Sequence, residues 1–225
     1  MSSDSPVPQT GLLVVDYLLS GATVYDGYGG QPQQADIAIV GDSIAAIGPN
    51  LALSYHAGQT IDAKNLAASP GFIDIHTHSD LTVLVNPMME SSVHQGVTTE
   101  VVGNCGMAIG AMTTSGDFAF EKRWLERSGV VLSWDTFGGF LERIKQQGTA
   151  INVCSLAGHG TLRKVAMGGD ERAPSQDEIK RMQQATAAAM DGGAIGLSTG
   201  LEYLPGGCAN LDEIVALAEI AHKAG

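Results

Sequence analysis

The chain has 225 residues, with 12 Lys and Arg against 24 Asp and Glu, for a net charge of −12. That balance works against binding to a nucleic-acid backbone or an anionic membrane face, and the longest apolar runs fall far short of the ~18 residues that a membrane-crossing helix requires. Three widely spaced cysteines, an odd number, do not make a disulfide framework and fit a reducing, cytoplasmic setting.

Residues 1–11 are polar, with Pro6 and Pro8, and lack both a basic segment and an apolar core, so they read as a disordered start rather than a signal peptide. Over residues 12–67 short apolar runs at 18–25, 35–40 and 44–47 alternate with turn signals such as Gly41-Asp42 and Gly48-Pro49-Asn50. Strands this short and close together predict part of a small β sandwich or barrel.

From residue 68 the rhythm becomes strand, loop, helix. Residues 72–75 are apolar and strand-like and run into His76-Thr77-His78. Residues i and i+2 of a strand point to one face, so the two imidazoles leave the strand end side by side, as metal ligands do. Nitrogen ligands of this kind suit Zn²⁺, which lowers the pKa of bound water to about 7. A bare His-x-His also arises where two histidines merely form hydrogen bonds, but the preceding Pro70-Gly71 and apolar run favour the ligand reading.

Asn86-Pro87 opens a short helix expected to end before Gly96, with Pro at its favoured first position. Residues 97–102 are rich in β-branched side chains and form a second strand, and Gly103-Asn104-Cys105-Gly106 is the loop leaving its C-terminal end. A cysteine is commonly a small buried hydrophobe. Flanked by glycines after a strand, Cys105 instead faces the same rim as the histidines.

Residues 136–147 place Phe137, Phe140, Leu141 and Ile144 at helical spacing, with Gly148 as the stop. A third strand at 151–156 leads into Ala157-Gly158-His159-Gly160. Ser175 and Glu178 form a capping box for a helix whose Ile179, Met182, Ala185 and Ala189 share a face and which Gly192-Gly193 ends. Residues 194–199 are the fourth strand, and Asn210 caps a last helix with Leu211, Ile214, Leu217 and Ile220 facing inward. Strands alternating with helices imply a parallel sheet with right-handed crossovers. Four such units are half of a (β/α)8 TIM barrel, a fold of about 250 residues. The expectation is an N-terminal portion of a longer protein, with 68–225 as the first four β/α units; the alternative is a small α/β layer protein.

Four segments, at 70–80, 95–106, 157–163 and 193–206, together resemble the amidohydrolase superfamily, and within it the D-aminoacylase (N-acyl-D-amino-acid deacylase) group. The His-x-His pair is shared across the superfamily. Gly103-Asn104-Cys105-Gly106 is the specific element, because this group places a cysteine where many relatives use a metal-bridging carboxylated lysine.

The resemblance implies a metal-dependent hydrolase with one or two Zn²⁺, a (β/α)8 barrel and a small β domain. His76 and His78 would hold one metal position and Cys105 would hold or bridge its neighbour. Two further histidines and a general-base aspartate are expected beyond residue 225. Tyr203 would donate its phenol to the substrate's carboxylate or acyl oxygen. His159 lies at the rim by position, where contact with substrate and a structural bond to a loop carbonyl both stay open. Asp80 would orient a liganding imidazole or stand as an exposed loop carboxylate, and Ser198 and Thr199 would serve the substrate or cap the strand end.

The implied reaction is hydrolysis of N-acyl-D-amino acids, small-molecule substrates, to a carboxylic acid and a D-amino acid. A cyclic-amide hydrolase of the dihydroorotase or hydantoinase type is the enzymatic alternative, against which Cys105 weighs; a non-catalytic amidohydrolase-like chain is the other.

Overall fold

The structure, a computed structural model, describes residues 12–113 and 118–225, so the expected disordered start at 1–11 lies outside the described residues. Residues up to Pro70 form one compact unit and Gly71–Gly225 another.

The first unit is a five-stranded mixed sheet built from β1 (Leu13–Val24), β2 (Gln33–Val40), β3 (Ser43–Gly48), β4 (Tyr55–Asp62) and β5 (Ala67–Ala68), in the order β3-β2-β1-β4 with β5 also on β1. Strand β1 pairs antiparallel with β2 and parallel with β4. Its register against β2 shifts between Leu19 and Ala22, where Gly21 takes φ +79° and donates its N–H to Asp36 Oδ1 at 2.8 Å. The other Asp36 oxygen accepts from Leu51 N at 2.9 Å, so this buried carboxylate is satisfied from both sides. Where the turn pattern predicts a sandwich or barrel, the described residues supply one sheet, with Val15, Leu18 and Ala38 at the centre of its core.

The second unit contains β6 (Phe72–Asp74), α1 (Thr82–Val85), α2 (Glu90–Val93), β7 (Val97–Val102), α3 (Ala119–Arg127), α4 (Phe137–Gln147), β8 (Asn152–Ser155), β9 (Ala157–Gly158), α5 (His159–Met167), α6 (Gln176–Asp191), β10 (Leu197–Ser198) and α7 (Leu211–Ala224). Strands β6, β7 and β8 are parallel neighbours, and β9 pairs parallel with β10. The ladder changes sides at one residue: Leu156 N donates to Val102 O at 2.9 Å, and Ala157 N donates to Gly196 O at 2.8 Å. Four strand positions therefore follow one another in sequence order, and their C-terminal ends deliver their loops to one rim.

Helix α4 runs as its periodicity predicts. Thr136 caps it by accepting from Gly139 N at 3.1 Å, and Gly148 ends it at φ +76°. Phe140 is fully buried against Trp134, ring centres 5.4 Å apart, and the indole N–H is satisfied by Ile109 O at 3.1 Å. The capping box of α6 is present, with Ser175 N donating to Glu178 Oε2 at 2.7 Å, and Asn210 caps α7.

The structure differs from the sequence reading in several places, among them α3, which that reading does not contain, and Leu211, which is expected to face inward and is exposed. The helix expected from Asn86-Pro87 begins only at Glu90; Asn86 ends α1 instead, because a residue preceding proline is steered out of the helical region, here to φ −128° and ψ 78°. The fourth strand is reduced to Leu197–Ser198. Helix α5 begins at His159, where a loop is expected, and its buried positions 159, 162, 163 and 166 do follow a helical spacing. Two of them are His and Arg, which hides the stripe from an apolar pattern.

Those two polar residues are buried because they share one carboxylate. His159 Nε2 lies 2.8 Å from Glu213 Oε1, and Arg163 Nη1 donates to both Glu213 oxygens at 2.6 and 2.5 Å, all three side chains having no exposed surface. Arg163 Nη2 also donates to Arg172 O at 2.8 Å. The cluster ties α5 to the first turn of α7. Burial, the largest influence, pushes the His159 imidazole below its ordinary range; Glu213 opposes the shift and Arg163 reinforces it. The neutral ring suits the geometry, since Nδ1 is buried without a hydrogen-bond partner among the described residues and a proton there would be unpaired.

Removing one partner leaves uncompensated buried charge, so Glu213→Ala is expected to destabilise the fold by about 3–5 kcal/mol in urea unfolding. The histidine adds a pH dependence of definite sign. Its contribution is complete above the unfolded-state pKa of about 6.5 and is lost as pH falls below it, because only the unfolded chain takes up the proton readily. Stability measured from pH 7.5 down to 5.5 should decline, and His159→Gln should flatten the decline.

Candidate metal centre

Strand β6 stops at Asp74, whose Oδ1 accepts from His76 N at 3.1 Å and so shapes the turn out of the strand. His76 and His78 follow, exposed, with ring centres 5.8 Å apart. Thr77, between them, donates its N–H to Val101 O at 3.4 Å, which fastens this turn to β7. The loop after β7 brings the third group. Cys105 Sγ lies 3.3 Å from His76 Nε2, and one ligating atom from each of His76, His78 and Cys105 falls within 4.8 Å of the others.

Cys105 sits at φ +54°, an uncommon conformation for a residue with a Cβ, and its neighbours hold it there. Asn104 Nδ2 donates to Val101 O at 2.8 Å and to Thr77 O at 3.2 Å, joining the cysteine loop to the histidine turn. Ser198 Oγ accepts from Gly106 N at 3.0 Å and donates to Gly103 O at 2.5 Å, closing the two ends of the loop from β10. Thr161 N donates to Gly106 O at 3.1 Å, and Thr161 Oγ1 accepts from Ala108 N at 3.0 Å. Backbone approaches here are too close for side chains: a Cβ on residue 103 would meet Leu156 O at 2.3 Å, and one on residue 200 would meet Cys105 O at 2.0 Å.

The donor set fits zinc. With bonds of about 2.05 Å to nitrogen and 2.3 Å to sulfur at a tetrahedral angle, two ligands of one ion lie about 3.5 Å apart, close to the distance between Cys105 and His76. Imidazole with thiolate is also a borderline-soft combination of the kind zinc accepts.

A cavity of about 320 Å³ opens beside His78 and Cys105, with Tyr203, Asp80, Thr161 and Lys164 among its lining. Tyr203 is 48% exposed, so its phenol is available to a ligand. Asp80 is buried and not the exposed loop carboxylate that its position suggests; its Oδ2 accepts from Ile109 N at 3.2 Å. Burial pushes its carboxyl up, with the Ile109 N–H and the charge of His78 working against the shift. His159 is not among the residues that line this cavity: it is buried on Glu213, while the Gly160 and Thr161 that follow it do line the wall. Ser198 is a clamp on the cysteine loop. Asn104 is the neighbour that sequence reasoning missed; its place directly before Cys105 in the motif is the signal that was available.

Residues 59–221 match the amidohydrolase family. N-acyl-D-glutamate deacylase of Alcaligenes xylosoxydans xylosoxydans is 38% identical over 211 residues, which are 94% of this chain and 42% of that protein. A crystal structure of D-aminoacylase superposes with a TM-score of 0.83 at 36% identity, covering 94% of this chain and 44% of the other. The N-acyl-D-glutamate deacylase from Bordetella bronchiseptica, solved with zinc and a phosphonate mimic of the tetrahedral intermediate, gives 0.83 at 34% identity, covering 93% and 43%. The chain spans about two fifths of the length of these relatives. Its four sequential parallel strands are the first half of a (β/α)8 barrel. From the rim motifs through the fold to the extent of the match, the chain belongs to the amidohydrolase family.

Proposed function

We propose that this chain supplies His76, His78 and Cys105 to a centre of one or two Zn²⁺ ions that hydrolyses N-acyl-D-amino acids, water cleaving the amide bond to give a carboxylic acid and a D-amino acid. The observation that carries the reading is the convergence of two imidazoles and one thiol at the C-terminal ends of adjacent parallel strands. That is the face on which barrels of this architecture place their chemistry.

When bound, zinc supplies Lewis-acid polarisation of the amide carbonyl and a lowered pKa for water. The protein's own residues do the rest. Tyr203 lines the cavity, half-exposed, and its phenol donates to the substrate's carboxylate or acyl oxygen. Asn104 and Ser198 hold the cysteine loop to the histidine turn and to β10, so the ligands are set before substrate arrives. His159 acts at one remove: with Arg163 and Glu213 it fixes the start of α5, whose Gly160 and Thr161 line the cavity. The general-base carboxylate belongs to the part of the relatives' length that this chain does not span.

In this reading residues 12–67 contribute to a small β domain and 68–225 to the catalytic barrel. Its three cysteines are free, which fits a reducing compartment, and we place the protein in the cytoplasm. Among the described residues no helix is long and apolar enough to cross a membrane.

Protein purified from its complete reading frame should carry about one or more zinc per chain by plasma mass spectrometry and release acetate from an N-acetyl-D-amino acid. Cys105→Ala should lose most of both. Metal and activity retained in that variant would remove the cysteine from the centre, and absence of metal from the wild type would turn the reading to a non-catalytic chain. Tyr203→Phe should raise KM about tenfold while leaving zinc content unchanged, the value of one hydrogen bond to a charged group; an unaltered KM would leave the tyrosine as a packing residue of its loop.

A further inference from the structure

One wall of the cavity is untouched by the chemistry proposed above. It comes from Met112 and Phe118, from Phe120 and Glu121 of α3 and from Lys164 of α5. Met112 and Phe118 are buried in it, each 1% exposed, while Met107, Phe120 and Leu204 present apolar surface to the opening at 47, 76 and 61% exposure. Apolar surface open to water inside a concavity favours an apolar ligand group, at roughly 25 cal/mol for each Å² covered.

Lys164 is the one Lys or Arg among the described residues that line this cavity, and it is engaged. Its Nζ lies 3.1 Å from Glu121 Oε1 and 5.7 Å from the centre of the Phe118 ring, and the two charged side chains are 29 and 24% exposed. The second carboxylate oxygen, Glu121 Oε2, is buried with no hydrogen-bond partner among the described residues. A ligand carboxylate reaching this wall would have to displace Glu121 from its cation, leaving a partly buried acid unpaired, or stand beside it unpaired itself. An apolar group of the same size meets neither cost.

We propose that this wall receives an uncharged, apolar substituent of the substrate, and that Glu121 enforces the choice by neutralising Lys164, so that substrates placing a second carboxylate there are rejected. The inference rests on reading the centre as an N-acyl-D-amino-acid hydrolase and names the class of substrate within it. Two parts of such a substrate carry a group of this kind, the amino-acid side chain and the acyl chain, and both present the same chemistry to the wall.

The test measures kcat/KM on zinc-loaded protein from the complete reading frame in two series. One compares N-acetyl-D-methionine with N-acetyl-D-glutamate; the other compares the N-pentanoyl with the N-succinyl derivative of D-alanine. The neutral member should win by at least about tenfold in one series, and that series identifies the part of the substrate on the wall. Glu121→Gln should shrink the ratio about tenfold by raising kcat/KM for the carboxylate substrate, with Glu121→Ala as the second variant should the first not fold. The gain should vanish in the double variant Glu121→Gln/Lys164→Met, because the freed ammonium is what captures the carboxylate. Preference for the carboxylate or no preference in both series overturns the proposal, as does a ratio unmoved in the folded Glu121 variants; in each case hydrolysis itself would persist and the reading of the centre would stand. Absence of hydrolysis for every substrate would remove that reading, and this inference with it.

Discussion

The rim depends on how closely its backbones approach one another. The carbonyl of Cys105 occupies space that any side chain at position 200 would need, and the carbonyl of Leu156 does the same for position 103. Glycine at these points lets the loops after the second, third and fourth strands lie directly on one another, with backbone N–H groups of one satisfied by oxygens of the next. The left-handed conformation of Cys105 persists because this packing over-determines it. A thiol held in that way meets the two histidines without a long, flexible side chain to order, which is what a preorganised metal site requires.

Behind the rim the structure accepts charge in its interior and satisfies it. Glu213 receives both Arg163 and His159, and Arg163 is further bonded to a backbone carbonyl. Such a cluster often contributes no more net stability than apolar packing of the same volume, and here its bonds tie α5 to the first turn of α7. That arrangement sets Gly160, Thr161 and Lys164 along the cavity. The same helix thus carries a clamp on the cysteine loop and the cation that Glu121 neutralises, so the geometry of the centre and the polarity of the cavity wall are fixed together.

Much of this was legible in the residues, for identifiable physical reasons. Helices with an apolar stripe and a side-chain cap, such as α4 and α6, announce both their faces and their ends, and the structure has them where the pattern places them. Alternation of strands with helices pointed to the parallel order, and the match to the amidohydrolase family agrees. Helix α5 is hidden in the sequence because His159 and Arg163 interrupt its buried stripe of Leu162 and Ala166, and Pro87, which can open a helix, here restrains Asn86 before it instead. His159 looked like a rim residue from its glycine neighbours; only the partner 54 positions away shows why it turns inward.

Sequence alone determined which chemistry was available: two imidazoles at strand spacing, a thiol between glycines, and an acidic surface with few cations. These are properties of residue type and local period, and they need no distant partner to be read. Tertiary structure alone decided that the thiol reaches His76, 29 residues away, that Asn104 and Ser198 clamp the loop between them, and that Lys164 meets Glu121. Each of these is a contact between elements, set by how four parallel strands stack their loops and by which polar groups can be satisfied once water is excluded.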